Sequence, residues 1–355
     1  MSKNMRKIEK LLIATNLLYS LNSISNFATA QIKENPLFVA DTIIKEKPHY
    51  AQELLDLEKE AGFNVQSSHY QILDSLVNNI GKYVHTGGIG NDSKRTQALN
   101  NLESIDLTLK KEGFIYKNNS ELLFYESLKT KNFNSFHFLA LYLEVASKKN
   151  LPIISMEAGE HFFAQYILDS LNYINWETIF GVKQSENLYK KLLKDSKEIN
   201  ILTKDEFLSR EYRSIGFYLN KNKQFKKSIG YLSKAIEINS IDPLTYKYLG
   251  DSYSALGDYD DALENYSMAI NLNESFLEAY NSRAEIFYKT NKLQDALKDY
   301  NKAIELNPKN PEFYKNRGDI HFLLYKKNEN VWDKKQNSPQ AEKDYEKSLE
   351  LILKK

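Results

Sequence analysis

Residues 246–279, YKYLGDSYSALGDYDDALENYSMAINLNESFLEA, decide the fold of the C-terminal part of the chain, because the same pattern returns one fixed step before and after them. Tyr212, Tyr246, Tyr280 and Tyr314 stand 34 residues apart, and so do Gly216, Gly250, Ala284 and Gly318; Ala235, Ala269 and Ala303 keep the same step. Self-similarity at this period is the mark of a helix pair that cannot bury its apolar face alone and stacks on copies of itself. Within each pair the small residue lets the first helix approach the second closely, and Tyr266 or Tyr300 fills the groove between neighbours. Pro308 falls after the second helix of the third pair, where a helix should stop.

A repeat of this length and content resembles the tetratricopeptide repeat, and four copies fit residues 206–355 as an all-α solenoid. The fourth copy is interrupted. Its second helix should bring a small residue at position 330, which is Asn330, yet the matching run AEKDYEKSLEL starts at Ala341, so eleven residues are inserted around KNENVWDKKQNSP, at about 326–340. Trp332 in that insertion is either a contact residue or a ring lying back on the last helices. The resemblance implies a protein or peptide partner held in a concave groove lined by the first helix of each repeat. Its fifth residues are Arg213, Lys247, Asn281 and Lys315, and its ninth are Phe217, Asp251, Glu285 and Asp319. Arrays that clamp a chaperone's carboxyl terminus have an Asn at the ninth place of the first repeat, where this chain has Phe217. The mixed charge also fits pairing between residues four apart on a solvated face, and both readings stand at this stage.

A second organised stretch is residues 134–178, NSFHFLALYLEVASKKNLPIISMEAGEHFFAQYILDSLNYINWET. Phe138, Leu139, Tyr142, Val145 and Ala146 recur at helical spacing, and Pro152 forbids helix beyond Leu151, which predicts a helix from about Ser135 to Lys149. Met156 to Tyr166 and Leu171 to Thr178 then read as two antiparallel strands with a turn near Asp169 and Ser170. A register centred on Asp169 sets Glu177 opposite His161; one centred a residue earlier sets Asn175 there. A nucleophile at a helix start, an imidazole on a strand and an orienting acid or amide on the next strand is the logic of papain-like thiol enzymes.

The runs LALYLEVASKKNLPI, EAGEHFFAQY and INWETIFG resemble the transglutaminase-like domain of the SirB1 N-terminal type, a bacterial module often joined to tetratricopeptide repeats. The resemblance covers about residues 70 to 205 and implies an α+β, papain-like core over 126–205 preceded by a helical lobe over 31–125, where LNNLESIDLTLKKEGFIY matches well. Counting back sixteen residues from Leu151, as the family's thiol stands, gives Ser135; His161 matches the histidine, and Glu177, or else Asn175, the acid. A hydroxyl is far too basic to ionise where a thiol would, and Ser135 is also explained as an N-cap. The expectation is therefore a non-catalytic domain fused to an interaction scaffold. The alternative is a hydrolase or acyl transferase in which Ser135 attacks, His161 is the base and Glu177 or Asn175 orients the ring.

The remaining sequence bounds these readings. The 48 basic and 47 acidic residues leave a formal charge of +1, which points to no nucleic-acid partner. Cysteine is absent, so thiol nucleophiles, disulfides and Cys-based zinc sites are excluded. No cofactor or metal is expected, since His49 and His69 lack ligand-like partners a turn away and read as surface or core residues. The glycine cluster HTGGIGND at 85–92 lacks the Lys and Ser/Thr of a phosphate loop and reads as a connector. Residues 1–30 carry Lys3, Arg6, Lys7 and Lys10 before LLIATNLLYSL and an A-x-A site ending at Ala30, which fits a cleaved leader and an exported protein; the same residues fit an amphipathic helix of a cytoplasmic one. No later run is long and apolar enough for a membrane-spanning helix.

Overall fold

Helix α5, Ser135–Lys149, is buried on all sides from Phe136 to Ser147, and the N-terminal half of the chain is assembled around it. The computed structural model describes residues 49–84, 91–116, 123–158, 161–168, 173–176, 200–329 and 338–353. Contacts divide the chain into two units, Met1–Lys204 and Asp205–Lys355. The leader-like residues, the centre of the glycine connector, the turn at Asp169 and Ser170, Glu177 and Trp332 lie outside the described residues.

In the first unit α1 (Tyr50–Glu60), α2 (Ser67–Gly81), α3 (Asn91–Lys111) and α4 (Phe124–Thr130) precede α5. A short parallel pair, β1 (Ile115–Tyr116) with β2 (Asn132–Phe133), brackets α4. The expected start and end of α5 hold, but its cap does not. Asn134, not Ser135, is the N-cap: its side chain accepts from the His137 amide at 2.8 Å, and Ser135 is the first helical residue. Asn150, left-handed at φ 54°, closes the other end before Leu151-Pro152.

Next come β3 (Ile153–Ala158), β4 (His161–Ile167), β5 (Tyr173–Trp176) and β6 (Asn200–Ile201), an antiparallel sheet in the order β5-β4-β3-β6. The single strand expected over 156–166 is thus two, since Ala158 pairs with His161. Both strands are covered on both faces, from Ile153 to Met156 and from Phe163 to Ile167, so no polar alternation marks the reversal. The β4–β5 ladder is also corrected. Gln165 faces Asn175 and Ala164 faces Trp176, which centres it one residue later than the register that set Glu177 across from His161. Asn175 accepts from Gln165 Nε2 at 2.8 Å.

Buried polar groups tie these layers together. Both oxygens of the fully buried Glu58 accept from the first amides of α4, those of Phe124 and Tyr125. Glu144 does the same for α1, accepting from the Ala51 amide at 3.0 Å and pairing with His49 Nδ1 at 3.0 Å. His69 completes a capping box with Gln66 at the start of α2, so both histidines have structural partners. His137 is enclosed by Phe124 and Phe133, with Nδ1 2.8 Å from Ser127 Oγ, and burial holds it down at about 3. Trp176 Nε1 donates to Tyr142 Oη at 2.9 Å, and Tyr142 donates to Asp106. Burial raises Asp106 to about 6, against the opposing pull of that hydrogen bond and of Lys110.

The second unit is four helix pairs: α6 (Lys204–Lys221) with α7 (Phe225–Ile238), α8 (Pro243–Leu256) with α9 (Tyr259–Leu272), α10 (Leu277–Lys289) with α11 (Leu293–Leu306), and α12 (Pro311–Glu329) with α13 (Pro339–Leu353). The expected close approach is met. A Cβ built on Gly250 would stand 2.7 Å from Tyr266 Cε1, and one on Gly318 2.8 Å from Tyr345 Cε1, both too near for a real contact. Each ring packs against the glycine of its own repeat, Tyr266 also clustering with Ile286 of the next, while its hydroxyl finds an acid on the first helix: Tyr266 donates to Asp251 at 3.0 Å and Tyr345 to Asp319 at 2.9 Å. Tyr300 instead meets the next repeat, accepting from Asn316 Nδ2 at 3.2 Å. An arginine recurs beside these rings. Arg283 forks onto Asp299 at 2.8 Å through both nitrogens and reaches Ser267 of the preceding repeat at 3.0 Å; Arg317 does likewise with Asp344 and Asn301.

Two stability predictions follow from these contacts. His137 is protonated only in the unfolded chain between its unfolded and folded values, so its contribution is present above about pH 6.5 and is lost as pH falls. Asp106 has the opposite sign, contributing most below about pH 4 and losing that contribution as pH rises through about 6. Across the window from about 4 to 6 the two slopes cancel. Asp106→Asn should therefore expose the His137 slope, about 1.4 kcal/mol per pH unit, in urea unfolding followed by Trp176 fluorescence in a Trp332→Phe background; a flat profile would refute the pairing. In the repeats, Arg283→Ala leaves the buried Asp299 carboxylate, 6% exposed, without its cation and should cost about 3 kcal/mol, most of it recovered by the double change Arg283→Met with Asp299→Leu in the same unfolding assay read by circular dichroism.

Candidate functional site

Four side chains that spacing assigns to a groove all find partners. Lys247 Nζ lies 2.7 Å from Asp251 and Lys315 Nζ 3.3 Å from Asp319, each a pair four residues apart on one helix. Asn281 Nδ2 donates to Glu285 at 2.8 Å. Arg213 has the uncharged Phe217 four residues on and pairs instead with Asp242 at the start of α8 in the next repeat, 2.5 Å away. Asp242 also accepts from the Leu244 amide and Thr245, and Arg213 with these bonds holds its carboxyl below the ordinary range despite burial. The fifth and ninth residues thus form one polar stripe, neutralised in place except at Glu285, whose hydrogen-bond partner is an amide.

The stripe opens into a cleft of about 230 Å³ between the third and fourth repeats, lined by Glu285, Tyr288, Lys289, Tyr300, Asn316 and Asp319. Spacing arithmetic picked Glu285 and Asp319 but passed over the others. Tyr288 and Lys289 lie one turn beyond Glu285 on α10, so following the helix face past the ninth place would have found them. Tyr288 is 41% exposed, a large share for an aromatic ring. Tyr300 forms the floor; burial, then Glu285, raises its phenol.

The helix pairs, their 34-residue step and this stripe are those of a known repeat. The C-terminal region is a tetratricopeptide repeat array. The TPR repeat family matches residues 250–291 and 284–324. A TPR repeat-containing protein of Methanocaldococcus jannaschii is 31% identical over 116 residues, 25% of this chain and 36% of that protein, so the match spans about a third of the archaeal relative. Similar solved structures include a crystal structure of MamA, 20% identical, covering 47% of this chain and 86% of that one with a TM-score of 0.36. Another is the first TPR of Spaghetti (RPAP3) bound to an HSP90 peptide, 24% identical, covering 33% and 93% with a TM-score of 0.32. The described helices include none long and apolar enough to cross a membrane.

In the first unit, Ser135 sits half-buried at the first turn of α5. His161 opens β4 opposite Ala158, and the residues that follow each of them touch: Phe136 and Phe162 meet edge to face with centroids 5.8 Å apart. Asn175 is drawn to Gln165. Among the described side chains, His137 is a buried imidazole near the helix start, a core residue that sequence reading passed over because it lies inside an apolar run.

The stripe geometry sets a prediction for the array itself. Gly250→Val drives a branched side chain into the Tyr266 ring and should lower stability by about 2 kcal/mol or more, whereas Gly250→Val with Tyr266→Ala should regain part of that loss in the same thermal unfolding experiment.

Proposed function

We propose that this chain is an interaction scaffold whose repeat array holds an extended peptide of a partner protein along the fifth-and-ninth-residue face. The observation that carries this reading is the cleft between repeats three and four on that face, with an exposed aromatic ring at its rim and ordered polar groups along its length. The N-terminal unit we read as a transglutaminase-like domain without catalytic function. What supports it is the order of elements, a helix beginning at Ser135 followed by antiparallel strands with His161 at the head of one, together with the hydroxyl at the place of the family's thiol.

Binding of a synthetic peptide library to the full chain tests the scaffold: Tyr288→Ala with Asn316→Ala should weaken retained peptides by about tenfold while the circular dichroism spectrum is unchanged, and unaltered binding would place the site elsewhere. A fluorophosphonate probe tests the second part. The expected result is no specific labelling; labelling lost on Ser135→Ala would make the domain a serine enzyme instead. Ser135→Cys tests the family geometry directly, since a thiol at that helix start beside His161 should react with iodoacetamide faster than a free thiol, and more slowly again after His161→Ala.

A further inference from the structure

The fifth-residue cations of the groove are already paired. Arg213 is held by Asp242, Lys247 by Asp251 and Lys315 by Asp319, so a carboxylate arriving along the stripe would have to displace an acid at each of those places. The third repeat breaks the pattern. Its fifth residue is Asn281, and Glu285 accepts a hydrogen bond from that amide at 2.8 Å with no ion pair of its own. Lys289 lines the same cleft one turn further on, and among the ion pairs of the described residues it has none with Glu285. Asp319 of α12 lines the cleft as well; it accepts from Tyr345 at 2.9 Å, and its pair with Lys315, whose side chain is 62% exposed, is of the solvated, weak kind. The exposed ring of Tyr288 and the buried ring of Tyr300 line the same cleft.

Resting on the groove reading above, we propose that the cleft between the third and fourth repeats selects a lysine or arginine side chain of the bound peptide, with Glu285 as its counter-charge, Asp319 opposite, and the Tyr288 ring against its apolar stem. A cation over a tyrosine face with a carboxylate beside it satisfies both ends of a long basic side chain, while a glutamate there would meet two carboxylates, Glu285 and Asp319, against the single cation of Lys289. Glu285 is exposed and packs no core, so changing it leaves the array intact.

The test uses the full chain and peptides, taken from the library it retains, that differ at one position only: Lys, Arg, Gln or Glu. The Lys and Arg forms should bind tighter than the Gln form by about fivefold, with the Glu form weakest, and added salt should narrow the gap. Glu285→Gln should abolish the preference for Lys over Gln. Equal binding of Lys, Gln and Glu peptides, or a preference that survives Glu285→Gln, overturns the basic specificity and leaves the groove reading standing. Failure of the full chain to retain any library peptide overturns the groove reading itself, and this inference with it.

Discussion

A missing methyl group governs the repeat array. Where Gly250 faces Tyr266 and Gly318 faces Tyr345, the two helices of a repeat approach so closely that even a Cβ would overlap the ring. That approach seats the tyrosine flat between the helices and aims its hydroxyl at the ninth residue of the first helix, Asp251 or Asp319. The ninth acid, anchored from beneath by the phenol, then holds the fifth-residue lysine from the side. Packing inside each repeat and the charge pattern on its surface are thus one connected arrangement. The third repeat shows what happens when a link is altered. Ala284 replaces glycine, Tyr300 meets Asn316 of the next repeat instead of its own ninth residue, and Glu285 is left exposed at the cleft.

Joining one repeat to the next is a separate task, done by polar groups. Arg283 and Arg317 each fork onto an acid of their own second helix and extend a third nitrogen to the second helix of the preceding repeat. Earlier in the array Arg213 reaches Asp242 at the start of the second repeat, and hydroxyls add to it: Ser228 donates to the Gly216 carbonyl at 2.7 Å and meets Ser252 of the second repeat at 2.8 Å. A bidentate contact constrains angle as well as distance, so these staples fix how neighbouring repeats are rotated and hence how wide the cleft between them stands.

The repeats were legible because their information is local and recurrent: a 34-residue step, small residues facing rings, and a proline after a helix can each be counted in the chain. Even the insertion's size follows from Gly318 and Tyr345, which meet as Gly250 and Tyr266 do although eleven further residues separate them. The sheet was less legible for a physical reason. Strands β3 and β4 are buried on both faces over 153–156 and 163–167, Ser155 and Gln165 included, so burial does not mark the reversal at Ala158 and His161, and a register that depends on such strands slips easily by one. Nor could counting reveal that Glu58 and Glu144, distant in sequence from the helices they cap, would be spent on backbone amides. The cleft's aromatic wall was missed because only two positions per repeat were followed, while a binding face on a helix extends over adjacent turns.

The start of α5 brings the same reasoning to the N-terminal unit. A helix N-terminus favours negative charge, and this is why a thiol there gives up its proton readily. A serine hydroxyl remains protonated in that field, so the dipole that would activate sulfur does nothing for oxygen. Nor does capping dictate a hydroxyl at this place, because Asn134 already accepts the His137 amide one residue earlier. Ser135 is thus the first residue inside the helix and stands beside its cap, not in it.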